Sequence, residues 1–148
     1  MKNNIGIMIS FTSVEIKYSL KNIRKIRNWI ISIISQEGKN AGDITFVFCS
    51  DVYLGSLNEK FLKHSTLTDI ITFDYTENTK LAGDICISID RVKENAEIFN
   101  STFLNELGRV MAHGVLHLIG YKDKKDTDKK QMRSKEDFYL ASYPNLSI

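Results

Sequence analysis

Two histidines, a glycine and an aspartate follow one another at fixed spacing in the stretch MAHGVLHLIGYKDKKD. His113 and His117 are four residues apart, and Gly120 and Asp123 follow at intervals of three. Residues four apart lie on the same face of a helix, so both imidazoles can point at one ion. Glycine lets the helix end and the chain turn back, which brings the Asp123 carboxylate within reach. The spacing therefore predicts a divalent-metal site with two imidazole ligands and one carboxylate ligand.

The predicted ligands suit zinc, because imidazole nitrogen and carboxylate oxygen are ordinary zinc ligands. A carboxylate is a harder ligand than imidazole and shifts the preference towards Mn²⁺ or Mg²⁺, so we expect one divalent ion, Zn²⁺ before the other two. The alternative interpretation is two core histidines followed by a solvated, charged segment that contains Asp123. The spacing H-x-x-x-H-x-x-G-x-x-D parallels the H-E-x-x-H-x-x-G-x-x-H pattern of zinc peptidases, which favours a metal.

The residue after the first histidine argues against peptide hydrolysis. Zinc peptidases carry a glutamate there as general base, whereas this chain has Gly114. A metallopeptidase is therefore the less favoured activity, and the sequence assigns no catalytic base. For Asp69 and Asp84 the sequence leaves two interpretations open. Either residue orients a ligand or acts as a base, or both simply form turns or helix caps.

The bulk composition is that of a soluble globular protein, and we expect one domain spanning residues 1–148. Hydrophobic residues make up 43% and charged residues 26%, and the formal net charge of +2 dictates no strongly charged partner. The longest aliphatic patch is far shorter than the roughly twenty residues of a membrane span. Cys49 and Cys86 form no C-x-x-C pair, which predicts buried thiols in a reducing compartment. We therefore expect a cytoplasmic protein without a membrane partner.

Apolar periodicity predicts the element order β-α-β-α-β-β-α-α-α. The predicted strands are Ile5–Phe11, Ile44–Cys49, Asp69–Tyr75 and Gly83–Ile89. The predicted helices are about Ile16–Gln36, Asp51–Leu62, Asp90–Asn100, Phe103–Ile119 and Asp126–Ala141. A short loop makes the last two strands antiparallel, and crossover helices make other neighbours parallel. The expected fold is α/β, with a mixed four-stranded sheet packed by helices.

The motif HGVLHLIGY closely resembles the signature H-G-x-L-H-L-x-G-Y-D-H of the YbeY family, bacterial rRNA maturation factors regarded as metal-dependent endoribonucleases. Two upstream segments agree. LNEKFLKHSTLTDIITF (57–73) is similar to the family's L-N-x-x-Y-R-x-x-D-x-P-T-D-V-L-S-F, and GDICIS (83–88) to its G-D-I-x-I-S. Met132 also falls where the family often has methionine. The resemblance covers over half the chain and implies an α/β fold, a bound metal and an RNA substrate.

Three departures from the family pattern bear on the active site. Asp123 stands where the family has its third histidine, and Lys122 stands where it has the preceding aspartate. Leu62 replaces an arginine that is often considered part of the active site. Arginine can bind a phosphate through two parallel hydrogen bonds and leucine cannot. Lys63 and His64 are the nearest cationic replacements, and we hypothesise that one contacts the scissile phosphate. The alternative is that both cap an exposed helix end.

Two basic segments favour an RNA partner. On the first predicted helix, Lys17, Lys21 and Arg24 share one face. The segment after the signature is rich in basic residues: Lys122, Lys124, Lys125, Lys129, Lys130, Arg133 and Lys135. Alone, such a run indicates a solvated helix face, but beside a metal it favours sequence-independent phosphate contacts.

The leading interpretation is a metal-dependent, single-strand-selective endoribonuclease in rRNA maturation and ribosome quality control. Its expected partners are rRNA and the small ribosomal subunit, with no DNA. The alternative is a non-catalytic rRNA-binding assembly factor in which the metal is structural.

Overall fold

The computed structural model describes residues 8–62, the last of them in its backbone only, and residues 68–144. The strands are β1 (Met8–Val14), β2 (Asn40–Cys49), β3 (Ile70–Asp74) and β4 (Lys80–Ser88). The helices are α1 (Ile23–Gln36), α2 (Asp51–Leu57), α3 (Ile89–Ile98), α4 (Phe103–Ile119) and α5 (Asp126–Leu140). A π-helical turn at Asn58–Leu62 continues α2. The predicted element order is confirmed.

The four strands form one mixed sheet in the order β1-β2-β4-β3. β1 and β2 are parallel, β2 and β4 are parallel, and β3 is antiparallel to β4. The parallel pairs follow from the helical crossovers between them, whereas β3 and β4 are joined by a short turn. The expected α/β fold with one antiparallel pair is confirmed.

The first helix begins at Ile23, and the predicted start at Ile16 is wrong. Glu15 and Asn22 adopt positive φ angles of 58° and 56°, and an L-residue helix does not continue through left-handed backbone. Apolar periodicity misled the prediction because Leu20 is buried although it lies outside the helix.

The late start of α1 also corrects the predicted basic helix face. Lys17 and Lys21 precede the helix, so they do not continue the face on which Arg24 lies. The lysine-rich segment after the signature is mostly helical, since α5 carries Lys129, Lys130, Arg133 and Lys135. Of the two predicted basic surfaces, only the one after the signature has most of its basic residues on a helix.

Helix α4 lies close against the sheet, and this packing positions the helix face that carries His113 and His117. Leu107, Met111 and Val115 are fully buried. A Cβ atom at Gly114 would lie 2.6 Å from Cγ2 of Ile85 and 2.9 Å from Cδ1 of Ile70. The glycine therefore permits a helix-to-sheet distance that a larger residue would increase.

Two smaller expectations concern the cysteines and the membrane. Cys49 and Cys86 are buried and free, as predicted. None of the helices in the described part of the chain combines the length and the apolar character of a transmembrane segment.

Candidate metal centre and the adjoining cavity

Helix α4 presents His113 and His117 on one face, with ring centroids 4.6 Å apart. The helix ends at Gly120, whose φ of 127° is strained for any side-chain-bearing residue. The backbone N–H groups of Gly120 and Tyr121 donate to the carbonyl of Leu116 at 3.1 and 3.0 Å. These bonds satisfy the Leu116 carbonyl at the end of the helix, and the chain turns back there towards the two imidazoles.

The reversed chain brings Asp123 to both rings. Oδ2 of Asp123 lies 3.2 Å from Nε2 of His113 and 3.2 Å from Nε2 of His117. One ligand atom from each of the three residues lies within 4.8 Å of the other two. The structure therefore brings together the three residues that the spacing predicted, and the donor set of two imidazoles and a carboxylate fits a divalent metal ion.

The other nitrogen of each ring is engaged in a hydrogen bond. Nδ1 of His113 donates to Oε2 of Glu136 at 2.6 Å, and Nδ1 of His117 donates to the carbonyl of Tyr121 at 3.0 Å. Nε2 of each ring faces Asp123 at 3.2 Å. Because Nδ1 is engaged elsewhere, Nε2 is the nitrogen of each ring that is placed to bind a metal ion.

Glu136 is a functional residue that the sequence reasoning missed. It lies on α5 and is only 5% exposed. Arg109 bridges it to Asp137 through two hydrogen bonds of 2.8 Å. Burial opposes the charged form of His113, but the hydrogen bond and charge of Glu136 outweigh it, so the pKa of His113 is raised. The available signal was its position four residues after Met132, on the buried face of a polar helix.

A second glutamate, the half-buried Glu37, holds the turn that carries Asp123. Tyr121 Oη donates to Oε1 of Glu37 at 2.7 Å, and Lys135 Nζ donates to Oε2 at 3.0 Å. The hydroxyl of Tyr139 also donates to Glu37. Burial alone would raise the pKa of Glu37, but these donors outweigh it and the pKa is lowered. Because the carbonyl of Tyr121 accepts from the His117 ring, Glu37 ties the end of α1 to the turn that carries the candidate ligand Asp123.

A cavity of about 510 Å³ adjoins the candidate ligands His113 and Asp123, among residues of α3, α4 and α5. Its wall includes an aromatic ring, two amides, three cations and further carboxylates: Phe99, Asn95, Asn105, Arg109, Lys129, Arg133, Asp69, Glu106 and Glu136. The cavity therefore combines apolar and charged groups beside the candidate metal site, as a ligand-binding site does.

The two aspartates of the sequence analysis lie in different places. Asp69 lines the cavity, and its burial raises the pKa of its carboxyl group. Asp84 lies on β4 and accepts a hydrogen bond from Tyr75 Oη at 3.4 Å. Asp84 is not among the residues that line the cavity. Of the two, only Asp69 lies in the cavity beside the candidate metal ligands.

The family model for Endoribonuclease YbeY matches residues 8–144. The chain belongs to the YbeY family. It is 48% identical over 136 residues to Endoribonuclease YbeY of Flavobacterium johnsoniae, covering 92% of this chain and 97% of that protein. It is 51% identical over 136 residues to Endoribonuclease YbeY of Flavobacterium psychrophilum, covering 92% and 96%. A solution structure from Thermotoga maritima matches with a TM-score of 0.60 and 29% identity over 92% of this chain and 89% of that one. The predicted YbeY resemblance is confirmed.

Three residues of the upstream YbeY motif lie at or beyond the edge of the described residues. Lys63 and His64, the predicted phosphate contacts, lie outside them, and Leu62 is described in its backbone only. The structure does account for Gly114, where a zinc peptidase would carry its glutamate. A side chain there would meet Ile85 and Ile70 of the sheet, so this position does not serve the metal site.

Proposed function

We propose that residues 1–148 form a single metal-dependent endoribonuclease domain that hydrolyses RNA phosphodiester bonds in the maturation of cytoplasmic rRNA. The observation that carries this proposal is the convergence of His113, His117 and Asp123 within 4.8 Å beside an open cavity. Membership of the YbeY family and the endoribonuclease name of its relatives support RNA as the substrate.

His113, His117 and Asp123 hold one divalent ion, Zn²⁺ in preference to Mn²⁺ or Mg²⁺. When bound, such an ion polarises a phosphoryl oxygen or lowers the pKa of a water molecule. Glu136 and the Tyr121 carbonyl hold the two rings by hydrogen bonds of 2.6 and 3.0 Å, so that each Nε2 faces Asp123, where the ion would bind. Preorganisation of this kind keeps the ligands in position as charge develops on the substrate.

The substrate approaches from the cavity side of the ligands. Asp69 lines this cavity. Lys63 and His64 come shortly before Asp69 in the sequence. We keep these two residues as proposed contacts for the scissile phosphate, in place of the arginine that the family pattern has at position 62. The biological substrate is rRNA associated with the small ribosomal subunit, cut where it is single-stranded.

The proposal is tested by cleavage of an end-labelled, unstructured RNA oligonucleotide. The purified chain is stripped with a chelator and reloaded with Zn²⁺, Mn²⁺ or Mg²⁺, and the bound metal is quantified by elemental analysis. We expect reloading to restore cleavage, and His117→Ala and Asp123→Ala to lower it at least 100-fold. Lys93→Ala is the control, because Lys93 is exposed on α3 and lies outside the cavity wall.

Two results would overturn the proposed function. Equal traces of cleavage in wild type and both ligand variants would identify a contaminating nuclease and leave an RNA-binding role. Equal rates on the single strand and on its perfect duplex would contradict the single-strand selectivity.

A further inference from the structure

The cavity beside the metal ligands displays an exposed aromatic ring. Phe99 ends α3 and its side chain is 61% exposed. Its backbone N–H donates to the Asn95 carbonyl at 2.9 Å, and Asn100 follows with a φ of 54°. The backbone around the ring is therefore fixed, while no ring among the described residues stacks against it. An exposed aromatic ring on a hydrogen-bonded helix end is a suitable surface for stacking an unpaired base.

Of the three cationic side chains in the cavity wall, one is paired with carboxylates among the described residues and two are not. Arg109 is paired with Glu136 and Asp137 at 2.8 Å. Lys129 and Arg133, four residues apart on one face of α5, form no ion pair with any residue in the described ranges 8–62 and 68–144. These two cations are free to contact phosphates at the mouth of the cavity.

Two amide side chains complete the wall. Asn95 and Asn105 line the cavity, and neither side chain forms a hydrogen bond within the part of the chain that the structure describes. An amide offers both donors and an acceptor, which suits the polar edge of a base. The volume of about 510 Å³ lies within the usual range of small-molecule sites, roughly 300–1,000 Å³.

We propose that this cavity is a subsite for one unpaired nucleotide next to the cleaved bond. Its base stacks on Phe99, and its flanking phosphates contact Lys129 and Arg133. The proposal rests on the endoribonuclease function and gives it a physical source of strand selectivity. A base held in a duplex is stacked and paired and cannot enter the cavity, whereas an unpaired base enters without that cost.

The first experiment measures binding rather than cleavage. The metal-loaded full chain is titrated with a single-stranded, 2′-O-methyl phosphorothioate oligonucleotide whose integrity is checked after the titration. Phe99→Ala is expected to weaken binding about tenfold, within the range for loss of one stacked base, and Phe99→Trp to restore it. Phe138→Ala is the matched control, because Phe138 is 63% exposed and lies outside the cavity wall.

An oligonucleotide series with one abasic position identifies the stacked base. One member of the series is expected to bind wild type and the Phe99→Ala variant equally, because it lacks the base that the ring contacts. Lys129→Ala and Arg133→Ala are each expected to reduce the salt slope of log affinity by about 0.7. Lys93→Ala, at an exposed lysine of α3 outside the wall, is expected to leave the slope unchanged.

The outcomes separate this subsite from the endoribonuclease activity. If wild type cleaves RNA but Phe99→Ala binds like Phe138→Ala, the subsite is refuted and the endoribonuclease stands. The subsite is also refuted if no abasic position removes the effect of Phe99→Ala, or if wild type does not bind the oligonucleotide. Thermal unfolding midpoints equal to wild type exclude misfolding as the cause of weaker binding.

Discussion

Nδ1 of His113 on α4 lies 2.6 Å from Oε2 of Glu136 on α5, across 23 positions of sequence. Glu136 also accepts from Arg109 at 2.8 Å. The carboxylate therefore fixes one ligand ring and is itself held by a cation. The candidate metal site therefore depends on the packing of two helices as much as on the spacing within one of them.

Glu136→Gln is expected to weaken metal binding about 10- to 100-fold, because the amide holds the His113 ring less strongly and removes the charge that favours its basicity. Competition with a chromophoric chelator measures the affinity. Asp137→Asn is the control, since Asp137 also accepts from Arg109 but its side chain is 58% exposed. Equal affinities for the two variants would refute an orienting role for Glu136.

Asp123→His is expected to keep metal binding while shifting the preference towards Zn²⁺ and away from Mn²⁺. The reason is that a third imidazole replaces the one hard oxygen ligand. Paired titrations with Zn²⁺ and Mn²⁺ measure the ratio of affinities. Asp126→His, at the start of α5, controls for an added surface histidine. An unchanged ratio would show that Asp123 does not contact the ion.

Glu37→Gln is expected to lower the free energy of unfolding by about 1–3 kcal/mol near neutral pH, because three donors lose a charged acceptor. The folded-state pKa of Glu37 is lowered. Its charge therefore stabilises the fold above the ordinary glutamate pKa of about 4.3, and this contribution is lost as the pH falls through the lowered value.

Urea unfolding across a pH series measures this contribution as the difference between wild type and Glu37→Gln. We expect a constant difference above about pH 5 that shrinks on acidification. Glu97→Gln, at an exposed position on α3, is expected to show a difference near zero throughout. A wild-type-minus-variant difference that grows towards acid pH would contradict the assignment.

Gly114→Ala is expected to lower the free energy of unfolding by about 1–3 kcal/mol, because its Cβ would lie 2.6 Å from Ile85 Cγ2. Gly55→Ala tests the opposite case, since a Cβ at this position on α2 meets nothing within 4 Å. Its helix propensity should raise the stability by about 0.5–1 kcal/mol. Denaturant midpoints measure both changes. A Gly114→Ala variant that is as stable as wild type, or more stable, would show that the contact between α4 and the sheet has room for a Cβ atom.

Local patterns of the sequence were sufficient for much of the fold. The bounds of α4, Phe103–Ile119, agree with the prediction because its apolar repeat and terminal glycine are both local signals. The start of α1 could not be read in this way. Leu20 continues the apolar repeat and is buried. However, it lies in a non-helical segment that follows Glu15, whose backbone is left-handed.

The sequence by itself determined the three candidate metal ligands, because i,i+4 spacing and a helix-ending glycine bring side chains together over a few residues. Only the tertiary structure decided what surrounds them. Glu136, Glu37 and Phe99 come from three other helices or helix ends, and their contacts depend on how α1, α3 and α5 pack against α4. Helix periodicity shows which face of a helix is buried, but it does not show which residue of a distant helix will face it.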